Sequence, residues 1–204
     1  TPRKIDFPGS DHAKVVSYID VLGGRVHVGQ RAALIGAGGI GFDVAEYLVH
    51  KGESSTLDPK RWMAEWGVDP TFETRGSLVK PQPEAPAREV WLLQRSAGKP
   101  GARLGKTSGW VHRATLKAKQ VKMLGGVEYL GVNDSGLKIR VDGSEQLLPV
   151  DHVVVCAGQE PRRELQAELL AAGITAHLIG GADVAAELDA KRAIDQGSRL
   201  AAAL

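Results

Sequence analysis

Short, wholly apolar runs alternate along this chain with stretches in which apolar residues recur every three or four positions, a change of period that predicts alternating strands and helices. Residues 1–30 read as a connector, with turn-prone Pro8-Gly9, a helical-looking run from Lys14 to Leu22, and Gly23-Gly24. At Arg31 the pattern changes: the strand-like Ala32-Ala33-Leu34-Ile35 meets a glycine cluster and then an amphipathic segment, Phe42 to His50, that stops at Gly52. Residues 53–87 are rich in Pro, Ser, Gly and charge, with one helical turn expected around Arg61 to Trp66, and read as a long insertion covering the domain. The run Glu89 to Gln94 is the next buried strand, and Ser108 is the expected N-cap of a helix carrying Trp110, Val111, Ala114 and Leu116. Together these complete a βαβ unit.

Val127 to Val132, Leu137 to Val141 and Gln146 to Val150 are strand-length runs separated by Asn133-Asp134-Ser135-Gly136 and Asp142-Gly143, the turn signals of a β-meander. Pro149 places the last of them at an edge. His152 to Cys156 returns to the main sheet. Beyond Pro161 follow a helix at Glu164 to Ala171, a strand at Ala176 to Ile179, the turn Gly180-Gly181, and a final helix through Ala190 to Ala203. No internal repeat is present.

Gly36-Ala37-Gly38-Gly39-Ile40-Gly41 is a G-x-G-x-x-G between a buried strand and a helix. That context makes a weak pattern usable. Gly36 permits the tight turn, Gly38 lets a pyrophosphate approach the backbone, and Gly41 lets the helix lie close on the strand. The helix N-terminus then offers free N–H groups to the phosphates. The fold class expected is therefore α/β, a Rossmann-type dinucleotide-binding domain with a parallel sheet and a β-meander. The second strand ends in Gln94-Arg95-Ser96, where an NAD site usually presents an acid to the ribose. Arg95 pairs well with a 2′-phosphate, Ser96 can donate to it, and Lys99, Arg103 or Lys106 add charge, so NADPH is favoured over NADH. The insertion pushes this strand end much farther from the glycines than the usual spacing of about 20 residues.

Net charge is only +2, yet Arg95 to Lys122 contains eight Lys and Arg and no acid. A cationic segment inside a nearly neutral chain points to a small anionic ligand or docking patch rather than a nucleic-acid surface; for residues 113–122 a solvated basic helix face is the simpler account. No apolar run approaches the roughly 20 residues of a membrane span, so no membrane partner is expected. The single cysteine, Cys156, excludes an intramolecular disulfide and any cluster ligated by this chain's cysteines alone, and fits a cytoplasmic protein. The six histidines show no metal-ligand spacing or nucleophile partner, so no catalytic or metal-binding residue is assigned. The amino terminus, without Met or an apolar signal segment, is read as beginning partway through a longer gene product.

Two further strand ends, Val154 to Pro161 and Leu178 to Asp183, finish in small residues; from physics alone they serve either a second cofactor or tight structural turns. Taken with Pro8-Gly9-Ser10-Asp11-His12, Ser17 to Leu22, Ile35 to Asp43, Leu104-Gly105-Lys106-Thr107-Ser108-Gly109-Trp110 and Ile179 to Ile194, they make the chain resemble, over nearly its whole length, the carboxyl-terminal third of bacterial NADPH-dependent 2,4-dienoyl-CoA reductase. In that old-yellow-enzyme-like flavoprotein family an FMN barrel and an iron–sulfur cluster precede an FAD domain into which the NADPH domain is inserted. Hydride passes from NADPH to FAD, and electrons continue through the cluster to FMN and the unsaturated fatty acyl-CoA of β-oxidation.

The resemblance implies that residues 29–157 are the NADPH domain, flanked by a connector (1–28) and a carboxyl-terminal segment (158–204) of a Rossmann-like FAD domain. The glycine motif puts Gly36, Gly38, Gly39, Ile40 and Gly41 around the pyrophosphate, the strand-end chemistry puts Gln94, Arg95, Ser96, Lys99 and Lys106 around the 2′-phosphate, and the resemblance adds Asp43 near the nicotinamide. Ala157, Gly158, Asp183, Asp189 and Ala190 are then the FAD contacts, Asp183 at the ribityl chain. FMN, the cluster and the rest of the FAD site are expected in other parts of the full-length protein, its partners in this reading, so the chain alone is an incomplete enzyme. The alternatives are the corresponding domain of a trimethylamine dehydrogenase-like amine dehydrogenase, and a non-redox nucleotide-binding or docking module.

Overall fold

Val15–Ser17 is a strand, β1, although the run from Lys14 to Leu22 reads as helical; the helix, α1, is confined to Tyr18–Leu22. The β-branched Val15 and Val16 stand beside Val153 and Val154 in a parallel ladder, and that pairing overrides the local helical pattern. Ser17 marks the change, its hydroxyl accepting the Ile19 N–H at 3.2 Å. The structure, a computed structural model, describes residues 1–186 and 190–204. It divides into two units, Ile5–Cys156 and a smaller one comprising Thr1–Lys4 and Ala157–Leu204. Residues 5–28, read from the sequence as a connector, thus lie in the larger unit.

In the larger unit β2 (Arg31–Ile35) leads through the glycine turn into α2 (Gly39–Val49), three residues earlier than the apolar period suggests. The insertion holds α3 (Pro59–Trp66), with Pro59 at its start and the Asp58 carboxylate capping the Lys60 and Arg61 N–H groups. Then come β3 (Glu89–Leu93), α4 (Gly109–Ala118) and β4 (Lys122–Leu124). Ser108 occupies the N-cap position of α4, but its backbone is already helical (φ −110°, ψ −23°) and its hydroxyl makes no capping bond. Trp110 is exposed, and Gly109 and Leu116 are the residues that α4 buries.

The meander is β5 (Glu128–Asn133), β6 (Gly136–Val141) and β7 (Ser144–Leu148), a separate antiparallel sheet. β7 is drawn two residues earlier than expected because Asp142 and Gly143, both at positive φ, form a two-residue hairpin that pairs Val141 with Ser144. β8 (His152–Val155) then returns between β1 and β2. The resulting sheet, β1-β8-β2-β3-β4, is parallel throughout. Its centre is apolar on both faces: Ala32, Leu34, Leu92 and Val154 are buried against Phe42, Val44, Leu48 and Leu116 on one, and Ala33, Ile35, Leu93 and Val153 are buried on the other.

The smaller unit contains α5 (Glu164–Ala171) and α6 (Ala190–Ala203). The strand expected at Ala176–Ile179 does not form: among the described residues no neighbouring strand offers it a ladder, and Gln166 Nε2 instead donates to the Ala176 carbonyl at 3.1 Å.

Candidate functional site

β2 has β3 on one side and β8 on the other. Strand order reverses there, the point beyond whose carboxyl strand ends an open parallel sheet takes its ligand. The glycine loop lies at that point. Gly36 adopts φ +113°, which a side chain would resist, and its N–H donates to the Leu93 carbonyl at 2.9 Å, tying the loop to β3. At Gly41 a Cβ would stand 1.8 Å from the Gly36 oxygen and 3.3 Å from Leu92 Cδ1, so the helix touches the turn through bare backbone. At Gly38 and Gly39 a Cβ would meet nothing within 4 Å. Gly38 caps α2 without any side-chain bond, which leaves the first-turn N–H groups facing that open space. These residues fit a dinucleotide pyrophosphate: room where it approaches, and none where helix meets strand. Ile40 is half-buried against the core, and Asp43 is exposed one turn into α2.

Arg95 and Ser96 are exposed just past β3, which runs in register with β2, Ile35 beside Leu93. Gln94 is used structurally: its N–H donates to Leu124, its side-chain amide to the Ser96 carbonyl, and its own carbonyl accepts from Val127. Tyr129, which no sequence signal marked, lies under this strand end. Its hydroxyl donates to the Leu93 carbonyl at 3.5 Å and its ring meets Phe7 at 5.9 Å. Burial pushes that hydroxyl up to about 12 against the opposing charge of Arg95. The association depends on the meander folding over β3, which no local pattern encodes.

The basic segment is not one solvated face. Lys119 is buried, its ammonium 2.8 Å from Glu65 and 3.3 Å from the Glu84 carbonyl, and so fastens the insertion to the end of α4. Burial acts to raise the Glu65 carboxyl, but hydrogen bonds from Lys119 and Ser55 and the charges of Lys119 and Arg61 hold it below its usual value. Lys122 pairs with Glu89 across the Trp91 ring, and Arg113 donates to the Gly101 carbonyl at 2.8 Å. Arg95, Lys99, Arg103 and Lys106 remain exposed on the loop after β3.

In the smaller unit Gly158 turns at φ +84° beside the Arg3 guanidinium, and Ala157 is half-buried. Asp183 ends the Gly180–Ala182 turn; its carboxylate accepts from Gln196 Nε2 at 2.8 Å, and Arg163 donates to its carbonyl. A cavity of about 210 Å³ lined by Gln159, Glu160, Arg162, Gly181, Ala182 and Ala185 joins the two segments expected to serve a second cofactor. Ala190 is the first residue of α6, whereas Asp189 lies outside the described residues. Cys156, at the end of β8, is buried, and burial pushes its thiol up to about 12. Among the described residues no group of three His, Cys, Asp or Glu is placed to hold a metal ion, and no helix is long and apolar enough to cross a membrane.

Residues 1–190 match the model of the pyridine nucleotide-disulphide oxidoreductase family. A metal reductase of Desulforamulus reducens is 28% identical over 160 residues, 78% of this chain and 23% of that protein. Among solved structures, a 2-naphthoyl-CoA reductase in complex with 2-naphthoyl-CoA is similar over 97% of this chain and 24% of its own, with TM-score 0.67 and 20% identity. The 6-hydroxypseudooxynicotine amine oxidase of Pseudomonas geniculata N1 is similar over 98% and 26%, with TM-score 0.65 and 18% identity. The chain therefore spans about a quarter of the length of these relatives, and the structural likenesses establish a shared fold.

Proposed function

The chain belongs to the pyridine nucleotide-disulphide oxidoreductase family, whose members bind FAD and NAD(P), and on that premise we propose that it is the NADPH-binding portion of a flavin oxidoreductase of the 2,4-dienoyl-CoA reductase type. Residues 29–157 bind the nucleotide in this reading, 5–28 share their unit and add β1 to their sheet, and 1–4 with 158–204 contribute to an FAD domain. The single observation that carries it is the pairing of an open glycine cradle at the end of β2 with an exposed guanidinium, Arg95, at the end of the adjoining β3.

Bound NADPH supplies a hydride for the flavin. The chain's own residues bind and orient. The Gly38 and Gly39 backbone accepts the pyrophosphate against the N–H groups of α2, Arg95 takes the 2′-phosphate through its planar fork, and Ser96, Lys99 and Lys106 add donors or charge. Asp43 lies toward the nicotinamide end. Ala157, Gly158, Asp183, Asp189 and Ala190 serve the flavin. FMN and an iron–sulfur cluster, with the residues that protonate a dienoyl thioester, belong to other parts of a full-length protein, and the cytoplasm is its compartment.

Calorimetric titration with NADPH and NADH tests the reading. NADPH should bind more tightly, and Arg95→Ala should weaken it by about 1.5 to 3 kcal/mol, roughly 10- to 150-fold in Kd, with NADH almost unaffected. Equal, weak binding of the two nucleotides would favour the amine dehydrogenase reading, which has the likeness to the amine oxidase behind it. No binding of either would leave a docking module.

A further inference from the structure

We propose that Arg113 is a positioning residue that clamps the loop from Lys99 to Gly109, whose cations the reading above assigns to the 2′-phosphate of NADPH, against the glycine helix. The proposal rests on the NADPH reading and adds a specificity determinant outside the glycine and Arg95 motifs. Lys99, Arg103 and Lys106 are exposed along this segment, while Pro100, Gly101 and Gly109 between and beside them are buried. Ala102 and Gly105 are exposed with the cations, so the loop's buried positions are Pro100, Gly101 and Gly109.

The buried side is seated on α2. Gly101 stands at φ +74°, and a Cβ there would lie 2.6 Å from Phe42 Cζ and 2.8 Å from Cε2. Phe42 is three residues past the start of α2, so the loop backbone rests on the ring nearest the phosphate cradle. Two donors meet the Gly101 carbonyl: Arg113 Nη1 at 2.8 Å and the Leu104 N–H at 3.2 Å. Leu104 itself joins the core. Gly109 completes the seat, since a Cβ there would stand 2.7 Å from Leu104 Cβ and 3.5 Å from Arg113 Nη1.

The electrostatics call for an anion. Arg95, Lys99, Arg103 and Lys106 lie within twelve residues, Arg113 follows, and no Asp or Glu occurs from Arg95 to Lys122. Exposed cations gathered on one anchored loop with no acid nearby in sequence raise the local potential for an anion, and NADPH differs from NADH by a dianionic group. Arg113 does not itself reach toward the ligand; its guanidinium is committed to a backbone carbonyl. It acts through the loop.

The test titrates the wild-type chain, Arg113→Met and Arg113→Lys with NADPH and NADH. Arg113→Met keeps the apolar stem and removes the fork, and should raise the Kd for NADPH about tenfold while changing that for NADH by less than about twofold. Arg113→Lys, which restores one donor, should recover part of the loss. Trypsin supplies a measurement on the wild type alone: NADPH should slow cleavage after Arg103 and Lys106 more than NADH does. Equal weakening of both nucleotides by Arg113→Met would make the residue merely structural and overturn the proposal, as would no weakening at all. If Arg113→Met does not fold, loop cleavage that NADPH leaves unchanged overturns it, and selective protection supports it. A wild type without NADPH preference removes the underlying reading and the clamp with it, whereas a preference that Arg113→Met leaves undiminished removes the clamp alone.

Discussion

Adding one methyl group to the glycine loop should separate its packing from the phosphate binding proposed for it. In Gly41→Ala the new Cβ stands 1.8 Å from the Gly36 oxygen and 2.9 Å from its carbonyl carbon, against an ordinary contact distance of at least 3.4 Å. Neither contact is the free end of a flexible side chain, so α2 and the turn must part by about 1.6 Å. Overpacking of this kind costs about 2 to 3 kcal/mol, which for a unit of this size lowers Tm by roughly 4 to 12 °C. Gly38→Ala is the opposite case. Its φ of −86° suits alanine and its Cβ enters open space, so stability should stay the same or rise slightly. The methyl then occupies the room the pyrophosphate needs, and NADPH binding should fall. Scanning calorimetry and nucleotide titration on both variants give four numbers. A Gly41→Ala protein as stable as wild type would refute the packing argument, and a Gly38→Ala protein that binds NADPH normally would refute the cradle.

Lys119→Met leaves Glu65 without its partner inside the insertion, which should cost about 3 kcal/mol in urea unfolding, at the low end for a broken buried pair because both groups keep some contact with solvent. Lys119→Met combined with Glu65→Leu should recover most of that loss; no recovery would place the damage elsewhere. Hydrogen bonds from the Thr71 hydroxyl and N–H and from Thr74 hold the Asp69 carboxyl well below its usual 3.8, and Glu65 also sits below its usual 4.5. Lowered folded values mean that the unfolded chain takes up protons first, so this stability is complete above about pH 5 and is lost as pH falls through the lowered values. Urea midpoints measured from pH 7 to pH 3 should decline, and Asp69→Asn should flatten the decline; an unchanged slope would show that the Asp69 turn contributes nothing to it.

What was legible from the residues followed from local causes. A wholly apolar run of β-formers at Ala32 to Ile35, a G-x-G-x-x-G that tolerates no side chain at its first and last glycines, and an Asp-Gly hairpin each impose their geometry with neighbours a few positions away. The cradle, the meander and the cationic strand end were therefore available before any coordinates. Where long-range pairing decides, the local pattern misled: Val15 and Val16 gained a partner in β8 and became a strand, whereas Ala176 to Ile179, equally apolar, found none among the described residues. The division of the cations was likewise tertiary. Charge patterning counts Lys119 and Lys106 alike, but only the folded chain brings Glu65 and Glu84 to the first and leaves the second exposed. The open glycine loop was legible in the residues alone, because bare backbone is a property of single positions. Which cations stay exposed beyond β3 was settled only by the fold, because desolvation and pairing depend on segments tens of residues apart.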